Sequence, residues 1–205
     1  MKNIFTLIII FSILSCKGQD EKGNLAKAKD LVQQSNKLYL KSNLEKIVKL
    51  DSCIVLINDA IRIDETYFDA YLTKSRFLTE KKDISELLKN NEKMILLRPK
   101  QPYWKLQRGL YFDLIGNSIE AEKKYDEAIK EYHNLFQTEQ KNNFDLRMEY
   151  LTAFELKGDI KSAEQELKKL SKDFPKNESL ELYKAEYKFQ TKKELLELWE
   201  SISAN

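Results

Sequence analysis

His133 is the only histidine among 205 residues, and the chemistry open to this chain turns first on it and on two cysteines, Cys16 and Cys53. A Ser-His-Asp or Cys-His nucleophile could be assembled only around His133. No Gly-x-Ser-x-Gly elbow, His-Glu-x-x-His pair or glycine-rich phosphate loop accompanies it, and 5 glycines in total exclude a nucleotide-binding loop. Carboxylates recur in Glu120-Ala121-Glu122 and Glu164-Gln165-Glu166, but lysines alternate with them as on solvated helix faces. Cys53, Trp104 and Trp199 fall on apolar stripes, where packing is the expected role. Two cysteines far apart make neither a disulfide framework nor a four-ligand zinc site. The expectation is therefore a protein without catalytic residues, metal or cofactor, with His133 exposed on an extended helix.

The elements around these residues are helical. Lys plus Arg total 35 against 33 Asp plus Glu, a net of +2 with no block of like charge, which argues against a nucleic-acid partner. Only 5 Gly and 3 Pro leave few breakers. Leu44, Ile47, Val48, Ile54 and Val55 trace an i, i+3, i+4, i+7 ladder interrupted at Asp51. Breaks fall at Ser42-Asn43, Asp64-Glu65-Thr66, Lys82-Asp83, Arg98-Pro99, Gly116-Asn117, Lys141-Asn142-Asn143, Gly158-Asp159 and Phe174-Pro175. The stretches between them suit antiparallel helices joined by short turns, and no convincing period-two stretch occurs. The chain is predicted to be all-α.

The N-terminus stands apart. Met1-Lys2-Asn3 is a short positive start, and Ile4 to Leu14 is apolar except for Thr6 and Ser12. That run is shorter than the roughly 20 residues of a spanning helix and has the proportions of a signal-peptide core. It ends in Ile13-Leu14-Ser15-Cys16, which resembles the bacterial lipoprotein signal: an aliphatic residue three before the cysteine, a small residue directly before it, then the cysteine. The resemblance implies cleavage of residues 1–15, a diacylglyceryl group on the Cys16 thiol and acylation (palmitate-type) of the new N-terminus. Residues 16–24 would then form an acylated, polar tether ahead of a domain at 25–203. Lys17 stands directly behind the cysteine where the sorting rule of such proteins would need Asp for inner-membrane retention. That implies an outer-membrane location, with the periplasmic or surface face left open. The run Lys17-Gly18-Gln19-Asp20-Glu21 is loosely similar to the surface-export signals of Bacteroidota lipoproteins.

A repeat runs through the remainder. One copy reads Gly109-x2-Phe112-x3-Gly116-x4-Ala121-x3-Tyr125-x2-Ala128. The same ruler gives Leu151-x2-Phe154-x3-Gly158-x4-Ala163-x3-Leu167-x2-Leu170-x4-Pro175 downstream and Ser75-x2-Leu78-x3-Lys82-x4-Leu87-x3-Asn91-x2-Met94-x4-Pro99 upstream. These copies resemble the tetratricopeptide repeat, a helix-turn-helix unit of about 34 residues. The resemblance implies a right-handed superhelix of about four to five antiparallel helix pairs, closed by a capping helix at Lys193 to Ile202. Gly109 is expected where two helices cross closely, Gly116 and Gly158 at turns, and Ala121, Ala128 and Ala163 where neighbours approach. Between Ala128 and Leu151 the chain is eight residues longer than the ruler allows, so the helix there is expected to continue to about Thr138.

In proteins of this family the first helix of each pair lines a groove that receives a peptide or partner helix. Carried over, the groove candidates are Leu72, Arg76 and Thr79; then Tyr103, Leu106, Leu110 and Asp113; then Met148, Thr152 and Glu155. Tyr103, Leu106, Leu110 and Met148 would form an apolar floor. The lysine–asparagine clamp of the chaperone-binding members is absent from the matching places, where Leu72, Arg76, Leu106 and Leu110 stand. The expected function is that of a membrane-anchored, non-enzymatic scaffold for a protein or peptide partner. The alternatives are an accessory subunit of an outer-membrane assembly machine or, from another class, a glycan-binding lipoprotein or small hydrolase.

Overall fold

Two glycines mark the turns from which the fold is built: Gly116 and Gly158 adopt φ of +76° and +87°, the left-handed region that a Cβ disfavours. The N–H of Gly158 is bonded to Glu155 O and that of Asp159 to Phe154 O, which closes the last turn of one helix and releases the chain into the next. Lys82 takes the same conformation, φ +58°, at the matching place of the upstream copy.

The computed structural model describes residues 2–202, with side chains over 22–201 except at 139 and 200. The described residues form helices and turns without strands. The chain groups into two compact units, residues 1–83 and 84–205.

The first unit holds α1 (Lys2–Lys41), α2 (Lys46–Ile63) and α3 (Phe68–Lys81). Helix α1 passes through Gly18 to Asn24, the stretch expected to be a polar tether. Gly18 and Gly23, among Gln, Asp, Glu, Lys and Asn, disfavour a helix by only about 1 kcal/mol each, too little to end one. The Cys16 side chain lies outside the described side chains. Glu45 caps α2, its carboxylate accepting the N–H groups of Ile47 and Val48. The core is Ala28 and Val32 of α1, Leu50, Cys53, Ile57 and Ala60 of α2, and Ala70 and Phe77 of α3. Cys53 is fully buried, its thiol 3.4 Å from Ser35 O while the Ser35 hydroxyl donates to Cys53 O at 3.1 Å. The apolar ladder traced through α2 is not the buried one, because Leu44, Ile47, Val48 and Val55 are exposed. The buried row is Leu50, Cys53, Ile57 and Ala60, which turns toward both α1 and α3.

The second unit holds α4 (Ile84–Leu97), α5 (Tyr103–Leu114), α6 (Ser118–Leu135), a 3-10 turn (Glu139–Asn142), α7 (Phe144–Lys157), α8 (Ile160–Asp173), α9 (Glu178–Glu186) and α10 (Lys192–Ile202). Short Asx side chains start four of these helices: Asn117, Asn143, Asp159 and Asn177 accept the N–H of Glu120, Leu146, Ser162 and Leu180. Leu106, Ala121, Tyr125, Ala128, Tyr132 and Ala153 form one core, and Leu151, Ala163, Leu170 and Leu180 another. A Cβ on residue 109 would lie 2.5 Å from Cε1 of Tyr125, so glycine is what lets α5 and α6 cross at that separation. These are tetratricopeptide-like helix pairs in which the small residues sit where the ruler puts them. Helix α6 stops at Leu135 rather than continuing to about Thr138, and the extra residues after it form a turn over 136–138 and then the 3-10 turn. A buried Arg147 joins α7 to α8, its guanidinium 2.6 Å from Glu166 and 2.7 Å from Asp173. Burial alone would lower the Arg147 pKa, but these two carboxylates outweigh it and raise it, while the Asp173 carboxyl is held low.

Candidate functional site

The ten groove candidates separate by what lies on top of them. In the first unit Leu72 is 39 % exposed and Arg76 is exposed, its Nη2 donating to Asn36 Oδ1 at 2.5 Å. The Arg76 guanidinium stands 4.7 Å from the Phe77 ring centroid and 5.6 Å from that of Tyr39. Thr79 is half-buried, and its carbonyl accepts the Lys82 N–H that closes α3. In the second unit Tyr103 is 39 % exposed, edge-on to Trp104 at 4.9 Å between ring centroids. Leu110 and Met148 are half-buried, and Thr152 is exposed with its hydroxyl bonded to Met148 O.

Three candidates are not open surface. Leu106 is 2 % exposed, packed with Tyr125, Ala128 and Ala153 in the core of α5, α6 and α7. It is therefore no part of an exposed apolar floor, since the helical period that put it on the inner face also put it beneath α7. Asp113 and Glu155, at 8 % and 3 %, are covered by the chain's own C-terminal segment. Asp113 Oδ2 accepts the Tyr125 hydroxyl at 2.7 Å and stands 2.7 Å from Lys192 Nζ. Glu155 Oε1 accepts the Tyr187 hydroxyl at 2.9 Å, and the backbone N–H of Gln190 also donates to this carboxylate.

The covering segment is extended. Tyr187 ends α9 at φ −99°, ψ 135°, and residues 187–191 are neither helix nor strand before α10 begins at Lys192. Helix α10 then packs on α7, so the C-terminal helix covers an inner face. Burial pushes the Glu155 carboxyl upward against the opposing hydrogen bonds from Tyr187 and Gln190, and burial beside Glu155 raises the Tyr187 phenol. The Lys192 ammonium also lies 5.2 Å from the Tyr125 ring centroid, a cation–π distance.

Sequence reasoning missed Tyr187, Gln190 and Lys192 as partners of this face. One signal pointed to it: Asp113 and Glu155 each stand three residues before a turn glycine, Gly116 and Gly158, so two successive repeats carry an acid at the same register position. A repeated acid in a packed array needs a donor from somewhere, and this chain supplies both donors from its C-terminal segment.

His133 is exposed near the end of α6 with Nε2 3.5 Å from Gln137 Nε2. Trp104 is buried and donates Nε1–H to Gln101 at 2.8 Å. Among the described residues no group of three or more His, Cys, Asp or Glu could hold a metal ion. Among them, too, no helix is long and apolar enough to cross a membrane.

No protein-family model matches the chain, and no curated protein matches it. Solved structures of MamA are similar to it. One is 17 % identical over 78 % of this chain and 82 % of that chain, with a TM-score of 0.47. A second is 16 % identical over 82 % and 81 %, also at 0.47. MamA 41-end from Desulfovibrio magneticus RS-1 is 13 % identical over 74 % and 77 %, again at 0.47.

Proposed function

We propose that this chain is a non-enzymatic scaffold that binds a protein partner in the bacterial cell envelope, held at the outer membrane by lipid on Cys16. The observation that carries the reading is the seat of residues 187–192 on α5 and α7. An extended stretch of polypeptide lies across these helices and satisfies buried carboxylates with a tyrosine hydroxyl, a backbone N–H and a lysine. Helix pairs that accept one extended segment in this way have the chemistry to accept another. Leu72, Arg76, Tyr103 and Thr152 supply exposed surface on the same class of helix, the first of each pair.

Crosslinking in cells followed by purification of the full chain tests this reading, and one protein partner recovered in stoichiometric amount is expected. Leu72→Asp and Tyr103→Asp, both at exposed positions, are expected to cut recovery about tenfold with the helical circular dichroism unchanged. Failure to recover any partner under several growth conditions would sink the proposal.

A further inference from the structure

The acids of the second unit differ in how their charge is compensated. Glu166 faces Arg147, Asp113 faces Lys192 and Glu131 pairs with Lys105. Glu155 is sealed by Tyr187 and Gln190. Glu149 has no such cover. It is half-buried on α7, its Oε2 accepts the Tyr132 hydroxyl at 2.8 Å, and among the described residues no cation pairs with it. Burial raises its pKa first, opposed by the Tyr132 bond and assisted by the nearby Asp145 charge.

Glu149 opens on a cavity of about 540 Å³ within this unit, walled by Tyr103 and Trp104 from the start of α5, Leu135 from the end of α6, Gln140 from the 3-10 turn and Leu146 from α7. Part of the wall comes from the residues by which the chain exceeds the repeat, since Gln140 lies in that excess after the end of α6. The polar groups of Gln101 and Gln140 are oriented by local bonds, each carboxamide oxygen accepting from Trp104 Nε1 or Asn143 Nδ2. The remaining strong acceptor is the Glu149 carboxylate, with aromatic rings beside it.

We propose that this cavity is a recognition pocket for an arginine side chain presented by a protein or peptide. A guanidinium is planar, stacks on aromatic faces and forms two parallel hydrogen bonds to one carboxylate. The cavity lies in the size range of built ligand sites, and its apolar walls suit the three-methylene stem. One cation, Lys100, lines the same cavity. It is exposed, so its charge is hydrated and screened, whereas Glu149 is half-buried. This pocket is separate from the face covered by residues 187–192, and its occupation deepens the scaffold reading by naming the chemistry of one partner contact.

The test uses the full chain carrying Trp199→Phe, which leaves Trp104 as the sole tryptophan and reporter. The probes are the capped tripeptide Ala-Arg-Ala and its counterpart with citrulline, the neutral isostere of arginine. The arginine probe is expected to give a saturable change in Trp104 emission, with the citrulline probe weaker by about tenfold or more. Glu149→Gln, which keeps an acceptor for Tyr132, is expected to weaken the arginine probe by a similar factor, and Lys100→Gln to strengthen it. Equal binding of the two probes, no loss in Glu149→Gln, weaker binding in Lys100→Gln, or no saturation up to about 10 mM would each overturn the proposal. Should Glu149→Gln fail to fold, the citrulline and Lys100→Gln arms decide alone. Probe failure with a cellular partner still captured removes the pocket and leaves the scaffold, while probe binding without any partner does the reverse.

Discussion

Lys192 Nζ and Asp113 Oδ2 stand 2.7 Å apart, and the same carboxylate oxygen accepts the Tyr125 hydroxyl at 2.7 Å. This pair fastens the start of α10 to the end of α5, and with Tyr187–Glu155 it fixes the C-terminal segment over the inner face of the second unit. A carboxylate this deeply buried is tolerable only while its partners remain.

Lys192→Met is accordingly expected to destabilise the chain by roughly 1–3 kcal/mol, most of it the penalty of an uncompensated Asp113. Asp113→Asn in the same background recovers part of that loss, because the amide oxygen still accepts from Tyr125. A urea-denaturation cycle over the two single variants and the double should give a coupling on the order of 1 kcal/mol. Additive losses would mean that the contact contributes nothing beyond its separate halves.

Gly109→Ala sets two effects against each other. Alanine favours a helix interior by about 1 kcal/mol over glycine. Its methyl would meet Cε1, Cδ1 and Cζ of Tyr125 at 2.5, 2.7 and 3.0 Å. The ring cannot swing clear, since its hydroxyl is fixed on Asp113 and its surroundings are fully buried. Overpacking of this kind costs about 1–3 kcal/mol, so the variant should unfold at lower urea than the parent. A rise in the midpoint would show that α5 and α6 separate easily.

These two sites also mark the limit of what local sequence pattern determines. Gly109, Gly116, Gly158, Ala121, Ala128 and Ala163 were legible because each answers a constraint within one helix pair: a close crossing, a positive φ, a small gap. Some helix boundaries followed from the same local rules, as for α10, expected from Lys193 and observed from Lys192, whereas α6, expected to about Thr138, stops at Leu135 and α1 runs through the expected tether. Which side of a helix is covered is a different kind of fact. Period 3.6 places Leu72 and Leu106 on corresponding faces, yet one is 39 % exposed and the other 2 %. Around α2 it allowed a ladder through Leu44, Ile47 and Val48 when the packed row is Leu50, Cys53 and Ile57. The covering of Asp113 and Glu155 rests on residues remote in sequence, for which no local pattern exists.

Lys82 adopts φ +58° where Gly116 and Gly158 occupy the matching turns. A left-handed conformation costs an L-residue with a side chain about 1 kcal/mol relative to glycine. Lys82→Gly should therefore raise stability by roughly 0.5–1 kcal/mol, and Gly158→Ala should lower it by about the same amount or more. Both are read from urea midpoints at constant m-value. Loss of stability in Lys82→Gly would mean that contacts of the lysine side chain outweigh the backbone strain.

Glu155 gives the chain a pH response whose sign follows from its environment. Burial raises its folded-state pKa above the unfolded value of about 4.3, despite bonds from Tyr187 and Gln190. Between those two values the native state binds more protons than the unfolded one, so this group's contribution to stability declines as pH rises through that window. Glu155→Gln keeps an acceptor for Tyr187 and removes the charge. The variant should melt above the parent at pH 7, and the gap should narrow as pH falls toward about 4. Thermal scans at the two pH values check this, and a gap that widens on acidification would contradict it.

Cys16 carries the membrane part of the proposal, and its thiol is the one group whose removal tests it directly. Each buried methylene of an acyl chain contributes about 0.8 kcal/mol to membrane binding; one chain holds marginally and two or three hold firmly. The hydrophobic run Ile4 to Leu14 is too short to replace them as a spanning segment. Cys16→Ser removes the sulfur to which the diacylglyceryl group would attach. The variant is expected either to leave the membrane fraction or to persist as a larger, uncleaved precursor, and radiolabelled fatty acid should enter the parent alone. If the variant fractionates, migrates and labels as the parent does, the lipid anchor is wrong, and the scaffold would have to be held in place by its protein partner.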